Sequence, residues 1–169
     1  MGKKLAIIQS NYIPWKGYFD IMNMADEFIL YDHVQYTKED WRNRNKIKTP
    51  SGPAWLTIPI LVKGRANQRI CDAEVNDSET DWARKHWASI CQNYSRSRYF
   101  KLYRDRFEAL YITSGKERKL SQINFRFISL IRDILGITTR MTWSMDYAHG
   151  EDRVERLVSL CKELGCDEY

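Results

Sequence analysis

The sequence predicts an α/β domain in which helices form layers on a mostly parallel sheet. Its first apolar run, Lys4 to Gln9, opens into a turn with proline and glycine, then a segment with helical spacing and a second apolar run. Strand and helix patterns continue to alternate along the 169 residues, and no linker rich in proline, glycine or serine divides them. We therefore expect one domain, residues 1–169, with an N-terminal strand–helix–strand unit and a helical middle segment.

The first unit places two loops at one edge of the predicted sheet. The patterns predict a strand at Lys4 to Gln9, a helix at Tyr18 to Ala25 and a strand at Glu27 to Asp32. Two parallel strands joined by a helix cross over in the right-handed sense. The turn at Asn11 to Gly17 and the polar loop of residues 32–40 therefore lie at the same carboxyl edge, where open α/β sheets bind ligands.

The later elements alternate between short strands and longer helices. Trp55 to Val62 predicts a strand in which Pro59 favours an edge position, and Ile70 to Val75 predicts a short fourth strand. A helix is predicted from a cap at Asp77 or Ser78 through Ile90, and a second one at Tyr99 to Leu110. A third helix is predicted at Leu120 to Leu135, with Ser121 as its cap and Gly136 as its stop. A last helix is predicted at Val154 to Leu164, before Gly165. Ile137 to Trp143 predicts a further strand.

Four cations alternate with other residues in a single stretch of the chain. They are Arg42, Arg44, Lys46 and Lys48, with Asn43 and Asn45 between them. In an extended strand, residues two apart share a face, so the four cations would form one basic face that suits a phosphate-bearing ligand. The asparagine amides would add directional hydrogen bonds to that ligand. The alternative is an exposed edge strand whose charges oppose aggregation.

Composition argues for a cytoplasmic protein without a metal site. No signal peptide is visible, and no stretch approaches the roughly 18 apolar residues of a membrane span. The cysteines have neither a metal-binding spacing nor a disulfide framework, so we expect reduced thiols at Cys71, Cys91, Cys161 and Cys166. The net charge of +5 is modest and no RNA-binding motif occurs, which disfavours a nucleic-acid partner. The sequence indicates no particular cofactor.

The candidate site combines acidic, polar and aromatic residues from the two rim loops. Asp32 is the first candidate for the base that accepts an amine proton or orients an acceptor, and His33 is the second. Candidates for ligand binding are Gln9, Asn11, Tyr12, Trp15, Tyr18, Gln35, Arg42, Asn43, Arg44, Asn45 and Lys46, with Trp41 as a further ring. The rings can stack on a sugar or a base, and core packing is the alternative. His86 is expected to be a half-buried histidine rather than a base.

Five motifs resemble one known family in the order in which they occur. They are Ala6 to Gln9, Pro14 to Phe19, Asp32 to Tyr36, Trp41 to Ile47 and Trp55 to Pro59. With shorter matches through Arg156-Leu157, they cover essentially the whole chain and resemble the WbqC-like family. The resemblance implies a bacterial protein of surface polysaccharide and O-antigen gene clusters. It further implies an acyl or aminoacyl transferase of glycine type that acts on an amino-sugar nucleotide.

One departure from the family concerns the end of the chain. Family members usually continue well past the segment in which this chain ends, Cys166 to Tyr169. On this resemblance, we expect part of a site and a last strand to be missing. The sheet edge that such a strand would cover would then favour a homodimer.

Two other functions remain open. The turn Pro14-x-x-Gly17-Tyr18 resembles the HxGH turn of class I nucleotidylyltransferases, which implies a nucleotide-binding, adenylate-forming or nucleotidyl-transferring enzyme. Tyr18 stands where that family has its second histidine, and tyrosine cannot supply a cation. The third alternative is a noncatalytic module that holds a nucleotide or a glycan on its aromatic and basic face. No nucleophile elbow or Cys–His arrangement is visible, so any transfer is expected to be direct.

Overall fold

A computed structural model describes residues 2–76, 81–147 and 152–169 of the chain. Its strands are β1 (Leu5–Ile8), β2 (Glu27–Leu30), β3 (Arg44–Thr49), β4 (Gly52–Thr57) and β5 (Arg140–Trp143). Its α-helices are α1 (Lys16–Met24), α2 (Trp82–Tyr94), α3 (Phe100–Ser114), α4 (Leu120–Ile134) and α5 (Arg153–Glu163). Two short 3₁₀ helices span Ile70–Asp72 and Ser144–Asp146. The predicted α/β class is confirmed, including the strand–helix–strand start and the helical middle.

The central sheet is parallel, with its strands in the order β1, β2, β5. Successive side chains of a strand point to opposite faces, and both faces of this sheet are covered. One face packs against α1 and α4 in a cluster that contains Ala6, Met22, Phe28, Leu30 and Ile128. The other face packs against α5 in a cluster of Leu5, Ile7, Ile29 and Leu160. Burial of each large apolar side chain contributes about 1.5–3 kcal/mol, which holds these short strands in place.

The strands β3 and β4 form a separate antiparallel hairpin, in which Lys46 lies opposite Trp55 and Thr49 opposite Gly52. At the turn, Gly52 has a φ of +109°, a conformation that a side chain would disfavour. The strand predicted at Trp55 to Val62 corresponds to β4, which begins and ends closer to the N-terminus than predicted. It ends at Thr57, and beyond Pro59 only an isolated bridge from Ile60 to Val75 remains. Proline has no N–H to continue a ladder.

The fourth strand predicted at Ile70 to Val75 is wrong. This segment begins with the 3₁₀ helix Ile70–Asp72, and its later residues make only single bridges. The physical reason is that the backbone of this segment forms hydrogen bonds with a loop and not with a neighbouring strand. Ile70 N donates to Val34 O, and Cys71 N donates to Asp32 O, both at 2.9 Å. The segment thereby fastens the loop that follows β2.

Two helix caps differ from the prediction. Ser121 lies inside α4, whose N-cap is Lys119, because the Ser121 hydroxyl bonds to Asp32 and not to the helix backbone. The predicted caps Asp77 and Ser78 lie outside the described residues. Asp81 caps α2 by accepting a hydrogen bond from the N–H of Arg84. The predicted stop of α4 holds, since Gly136 follows it with a φ of +71°.

The last residues of the chain pair with the start of β1. Leu5 N donates to Glu168 O at 3.0 Å, and Asp167 N donates to Lys3 O at 2.9 Å. The chain itself therefore covers the beginning of this edge strand. The homodimer expected from an open edge stays a prediction.

Candidate functional site

The carboxyl ends of the three parallel strands meet at one edge of the sheet. Ser10 follows β1, Asp32 follows β2 and Ser144 follows β5, and all three residues are fully buried. The predicted convergence of the first two loops is confirmed, since Ser10 N donates to Asp32 Oδ1 at 2.8 Å. Polar groups gathered at this edge fit the rule that open α/β sheets bind ligands outside the carboxyl ends of their strands.

Asp32 ties the two strand ends to α4. Its Oδ1 accepts the Ser10 N–H, and its Oδ2 accepts the Ser121 hydroxyl at 2.6 Å. Burial raises the pKa of Asp32, and the hydrogen bonds from Ser121 and Ser10 and the charge of Arg42 oppose that rise. Both carboxylate oxygens are thus engaged with the protein. Asp32 positions the loops of the site, and its predicted role as a base stays a prediction.

Arg42 is fixed in the same network and does not lie on the exposed basic face. Its guanidinium donates to Gln9 Oε1 and Asn11 Oδ1 and lies 3.6 Å from a carboxylate oxygen of Asp40, and its side chain is only 17% exposed. The carbonyl of Arg42 accepts a hydrogen bond from Asn124 Nδ2, which also donates to the hydroxyl of Ser10. Arg42 therefore orients Asn11.

The loop between β1 and α1 is held in an unusual conformation. Ile13 has a φ of 49°, which is rare for a β-branched residue. Asn45 Nδ2 braces it by donating to the carbonyls of Tyr12 and Ile13, and Tyr12 N donates to Trp41 O at 3.0 Å. Such backbone strain costs about 1–3 kcal/mol and occurs preferentially at functional sites.

This loop and the start of the hairpin enclose a cavity of about 310 Å³, which we call the aromatic cleft. It is lined by Asn11, Tyr12, Pro14, Trp15, Trp41 and Asn45. The side chains of Trp15 and Trp41 are 67% and 48% exposed, whereas large aromatic residues are mostly buried in folded proteins. The cleft thus offers two accessible indoles and the amide of Asn11 to a ligand, whereas the amide of Asn45 is engaged with the protein.

Cations lie beside the aromatic cleft on the face of Trp55. The Trp41 and Trp55 rings are 5.4 Å apart, and the Arg44 guanidinium and the Lys46 ammonium lie 4.2 and 4.7 Å from the centre of the Trp55 ring. Cation–π contacts of this kind hold the cations in place without neutralising them. Arg44 also lies 3.8 Å from a carboxylate oxygen of the exposed Glu39. The prediction that these two cations share a strand face is confirmed, whereas Arg42 precedes the strand and points elsewhere.

Two predicted stacking residues lie in the core. Tyr12 is fully buried, and its hydroxyl contacts His86 Nδ1 at 3.0 Å and the Tyr111 hydroxyl at 2.7 Å. Tyr18 is 2% exposed, and its hydroxyl donates to the carbonyl of Gln9 at 3.3 Å. Burial raises the pKa of both phenols well above the usual value. Of the alternatives open for these rings, core packing is the one observed.

Other predicted residues are placed away from the aromatic cleft. His33 Nδ1 lies 2.6 Å from the hydroxyl of Ser144, at the ends of β2 and β5. Gln35 Nε2 donates to Ala66 O at 3.2 Å. Asn43 is buried and donates to Ile58 O at 2.9 Å, which fixes the base of the hairpin. Neither His33 nor these two amides line the cleft.

His86 is buried beside Tyr12, and burial lowers its pKa to about 4 from 6.5. Between these pH values the unfolded chain binds a proton that the folded protein excludes, so stability falls as the pH falls. We expect a loss of up to about 3 kcal/mol in the free energy of unfolding between pH 6.5 and pH 4. Urea unfolding of the wild type and of His86→Gln across this range measures it. An equally steep pH dependence in the variant would assign the loss to other groups.

The sequence motifs and a comparison with models of protein families agree on the family. The model of the WbqC-like protein family matches residues 9–169. The chain belongs to this family. It is also similar to a protein of Mycobacterium tuberculosis (strain ATCC 25618 / H37Rv) named as uncharacterized protein Rv1507c, with 46% identity over 167 residues that cover 99% of this chain and 71% of that protein. No solved structure matches the chain.

Sequence reasoning missed three polar residues of this WbqC-like site and one ring. Ser10, Ser121 and Asn124 complete the hydrogen-bond network around Asp32, and the Trp55 ring contacts the cations. Asn124 is a polar residue on the apolar side of α4, and that mismatch is the one signal that could have indicated it.

Two further observations apply to the described ranges alone. Within them, no group of three or more His, Cys, Asp or Glu residues is close enough to hold a metal ion. No helix there combines the length and the apolar character needed to cross a lipid bilayer.

Proposed function

We propose that the chain is an acyl or aminoacyl transferase that binds an amino-sugar nucleotide in the aromatic cleft. One observation carries this proposal: two exposed indoles, Trp15 and Trp41, flank a cavity that adjoins the cations on Trp55. Membership of the WbqC-like family supports the same proposal through the resemblance described above.

The cleft matches the two chemistries of a sugar nucleotide. The apolar face of a pyranose packs on indole rings, and the amide of Asn11 can bond its hydroxyls. Phosphate oxygens pair with the guanidinium of Arg44 and the ammonium of Lys46. The side-chain oxygen of Asn11 accepts from Arg42, so its amide N–H₂ is aimed away from Arg42 and toward other partners.

In the proposed reaction, the sugar amine attacks the acyl carbon of an activated donor. A C–N bond forms, the bond between the acyl carbon and the leaving group breaks, and the amine loses a proton to a base. Holding both substrates in one orientation supplies a large part of such a rate enhancement. Asp32 and His33 stay the candidates for that base, although neither lines the aromatic cleft. His33→Ala is expected to lower turnover more than binding.

The position of Trp15 favours transfer to an amine over nucleotidyl transfer. Its ring lies against Gly17 in the first turn of α1, where a Cβ atom would come within 2.1 Å of the indole. The indole therefore occupies space beside the helix N-terminus that a triphosphate would need to reach the backbone N–H groups. Release of pyrophosphate from ATP would nevertheless point to the nucleotidyltransferase alternative.

Calorimetric titrations test the binding part of the proposal. UDP-glucosamine is expected to bind more tightly than either UDP or glucosamine, because only the whole molecule fills the cleft and reaches the cations. ATP serves as the control for general affinity toward nucleotides. Equal affinity for ATP and UDP-glucosamine would contradict a site built for a sugar.

Turnover separates the transferase from a noncatalytic binding module. The protein is incubated with UDP-glucosamine and either acetyl-coenzyme A or a glycyl thioester as the activated donor, and the mass of the sugar nucleotide is followed. The expected result is a gain of one acyl or glycyl group. UDP-N-acetylglucosamine, whose amine is blocked, is the control and should remain unchanged.

The double variant Arg44→Ala/Lys46→Ala is expected to weaken binding of UDP-glucosamine about tenfold, since each partly exposed ion pair contributes up to ~1 kcal/mol. Its free energy of unfolding should stay near that of the wild type. Lys48→Ala is the matched control, because Lys48 lies on the same strand and is exposed. An unchanged dissociation constant in the double variant would remove these cations from the site.

A further inference from the structure

A second cavity lies between the hairpin and the helices α2 and α3. It measures about 470 Å³, and we call it the apolar groove. Its walls are formed mainly by apolar and aromatic side chains, among them Ile47, Ile90, Tyr94, Phe100, Tyr103 and Phe107. The groove lies outside the aromatic cleft, and the two cavities share no lining residue.

Two polar groups in the walls of the groove are already engaged within the protein. The Tyr94 hydroxyl already accepts the N–H of Lys48 at 2.8 Å. Trp87 Nε1 already donates to Glu108 Oε1 at 3.0 Å. Because apolar and aromatic side chains form most of the walls, a hydrocarbon chain is buried there without leaving polar groups unpaired, which is less costly than burial of a nucleobase or a peptide. The body of a matching ligand is therefore apolar.

The rim of the groove is cationic. Lys46, Arg98 and Arg104 line it, and no carboxylate residue does. The 15-residue helix α3 begins there at Phe100, so its N-terminal N–H groups add positive potential. Glu108 lies 3.9 Å from Arg104 and neutralises it only in part, since the Arg104 side chain is 54% exposed. Charge complementarity therefore requires an anionic head group on the ligand.

We propose that the apolar groove binds an acyl chain that carries an anionic head group. The groove is separate from the aromatic cleft and adjoins it along the chain. Ile13 lines the groove, whereas Tyr12 and Pro14 on either side of it line the cleft. Lys46 lines the groove and follows Asn45, which lines the cleft. Binding of such a ligand does not rest on the proposed transferase function.

Calorimetry with decyl phosphate, below its micellar concentration, tests the site. Decanol and decyltrimethylammonium carry the same tail without the anion. Decyl phosphate is expected to bind saturably and about tenfold more tightly than decanol, and the cation should bind least. Decanoate carries a carboxylate in place of the phosphate. A site for anions in general should bind decanoate as tightly as decyl phosphate, whereas a site that prefers phosphate should bind decanoate more weakly. Either result supports an anionic head group.

Two variants locate the site. Arg98→Ala/Arg104→Ala should bind decyl phosphate about tenfold more weakly and decanol as before. Arg106→Ala is the matched control on α3, since Arg106 is exposed and does not line the groove. Equal affinity for decyl phosphate and decanol, or an unchanged affinity in the double variant, would overturn the proposal.

The proposal for the apolar groove and the proposed function of the aromatic cleft can be contradicted independently of each other. Trp15→Ala/Trp41→Ala should retain decyl phosphate binding, because neither indole lines the groove. If the wild-type protein bound decyl phosphate but no sugar nucleotide, the proposed function would be contradicted and the groove proposal would stand. Displacement of decyl phosphate by ATP at similar concentration would instead identify the groove as a nucleotide site and overturn the inference.

Discussion

Replacing Asp32 with alanine is expected to lower the free energy of unfolding by about 3–5 kcal/mol, the largest stability effect of any single substitution we predict. The substitution leaves the N–H of Ser10 and the hydroxyl of Ser121 without their acceptor in a site where all three residues are buried. It also removes the negative charge that faces Arg42. Urea unfolding monitored by tryptophan fluorescence measures the loss.

Two milder substitutions serve as controls for Asp32→Ala. Ser121→Ala removes one hydrogen bond and should cost about 1 kcal/mol. Asp32→Asn keeps the shape and one acceptor oxygen, so its cost should lie between the other two. If Asp32→Ala were no more destabilising than Ser121→Ala, Asp32 would not organise the carboxyl edge, and its role as a base would gain weight.

Replacing both Trp15 and Trp41 with alanine is expected to weaken binding of UDP-glucosamine about 100-fold, the largest effect on binding. Both indoles line the aromatic cleft and are exposed in the absence of a ligand, so their contact area is gained only when a ligand binds. Because they are exposed, the free energy of unfolding should change by no more than about 1 kcal/mol. Calorimetric titration and urea unfolding measure the two quantities.

Tyr99→Ala is the matched control for the tryptophan variant. Tyr99 is an exposed aromatic residue that lines the apolar groove and not the aromatic cleft. Its loss should leave the affinity for UDP-glucosamine unchanged. A similar loss of affinity in Tyr99→Ala and in the tryptophan variant would indicate a general effect of exposed rings and not a specific cleft.

The parallel sheet could be predicted from sequence because local patterns dictate it. β1 and β2 are short apolar runs beside a segment with helical spacing, and that order leaves few topologies. The hairpin was harder to predict, because the segment from Trp55 to Val62 is apolar except for Thr57 and its pairing depends on the preceding basic strand. Ile70 to Val75 has strand-like residues, yet its hydrogen bonds go to distant loops, and no local pattern contains that information.

The location of the candidate site could be predicted from the sequence, but its hydrogen-bond network could not. Asp32 was expected at the carboxyl edge, but its partner Ser121 lies 89 residues away, and Asn124 lies 114 residues from Ser10. Arg42 and Arg44 have the same residue type and a spacing of two, and still differ in role. Arg42 precedes β3 and turns toward Gln9, whereas Arg44 lies in the strand and faces Trp55. Only tertiary packing distinguishes them.

The proposed function requires that a sugar nucleotide occupies the cleft between Trp15 and Trp41. Nuclear magnetic resonance of the indole N–H groups during titration with UDP-glucosamine measures this occupancy at the two rings. We expect the Trp15 and Trp41 signals to shift together with one dissociation constant, while the signal of Trp87, which borders the apolar groove, stays in place. Shifts confined to Trp87, or no shift of Trp15 and Trp41 at saturating ligand, would contradict it.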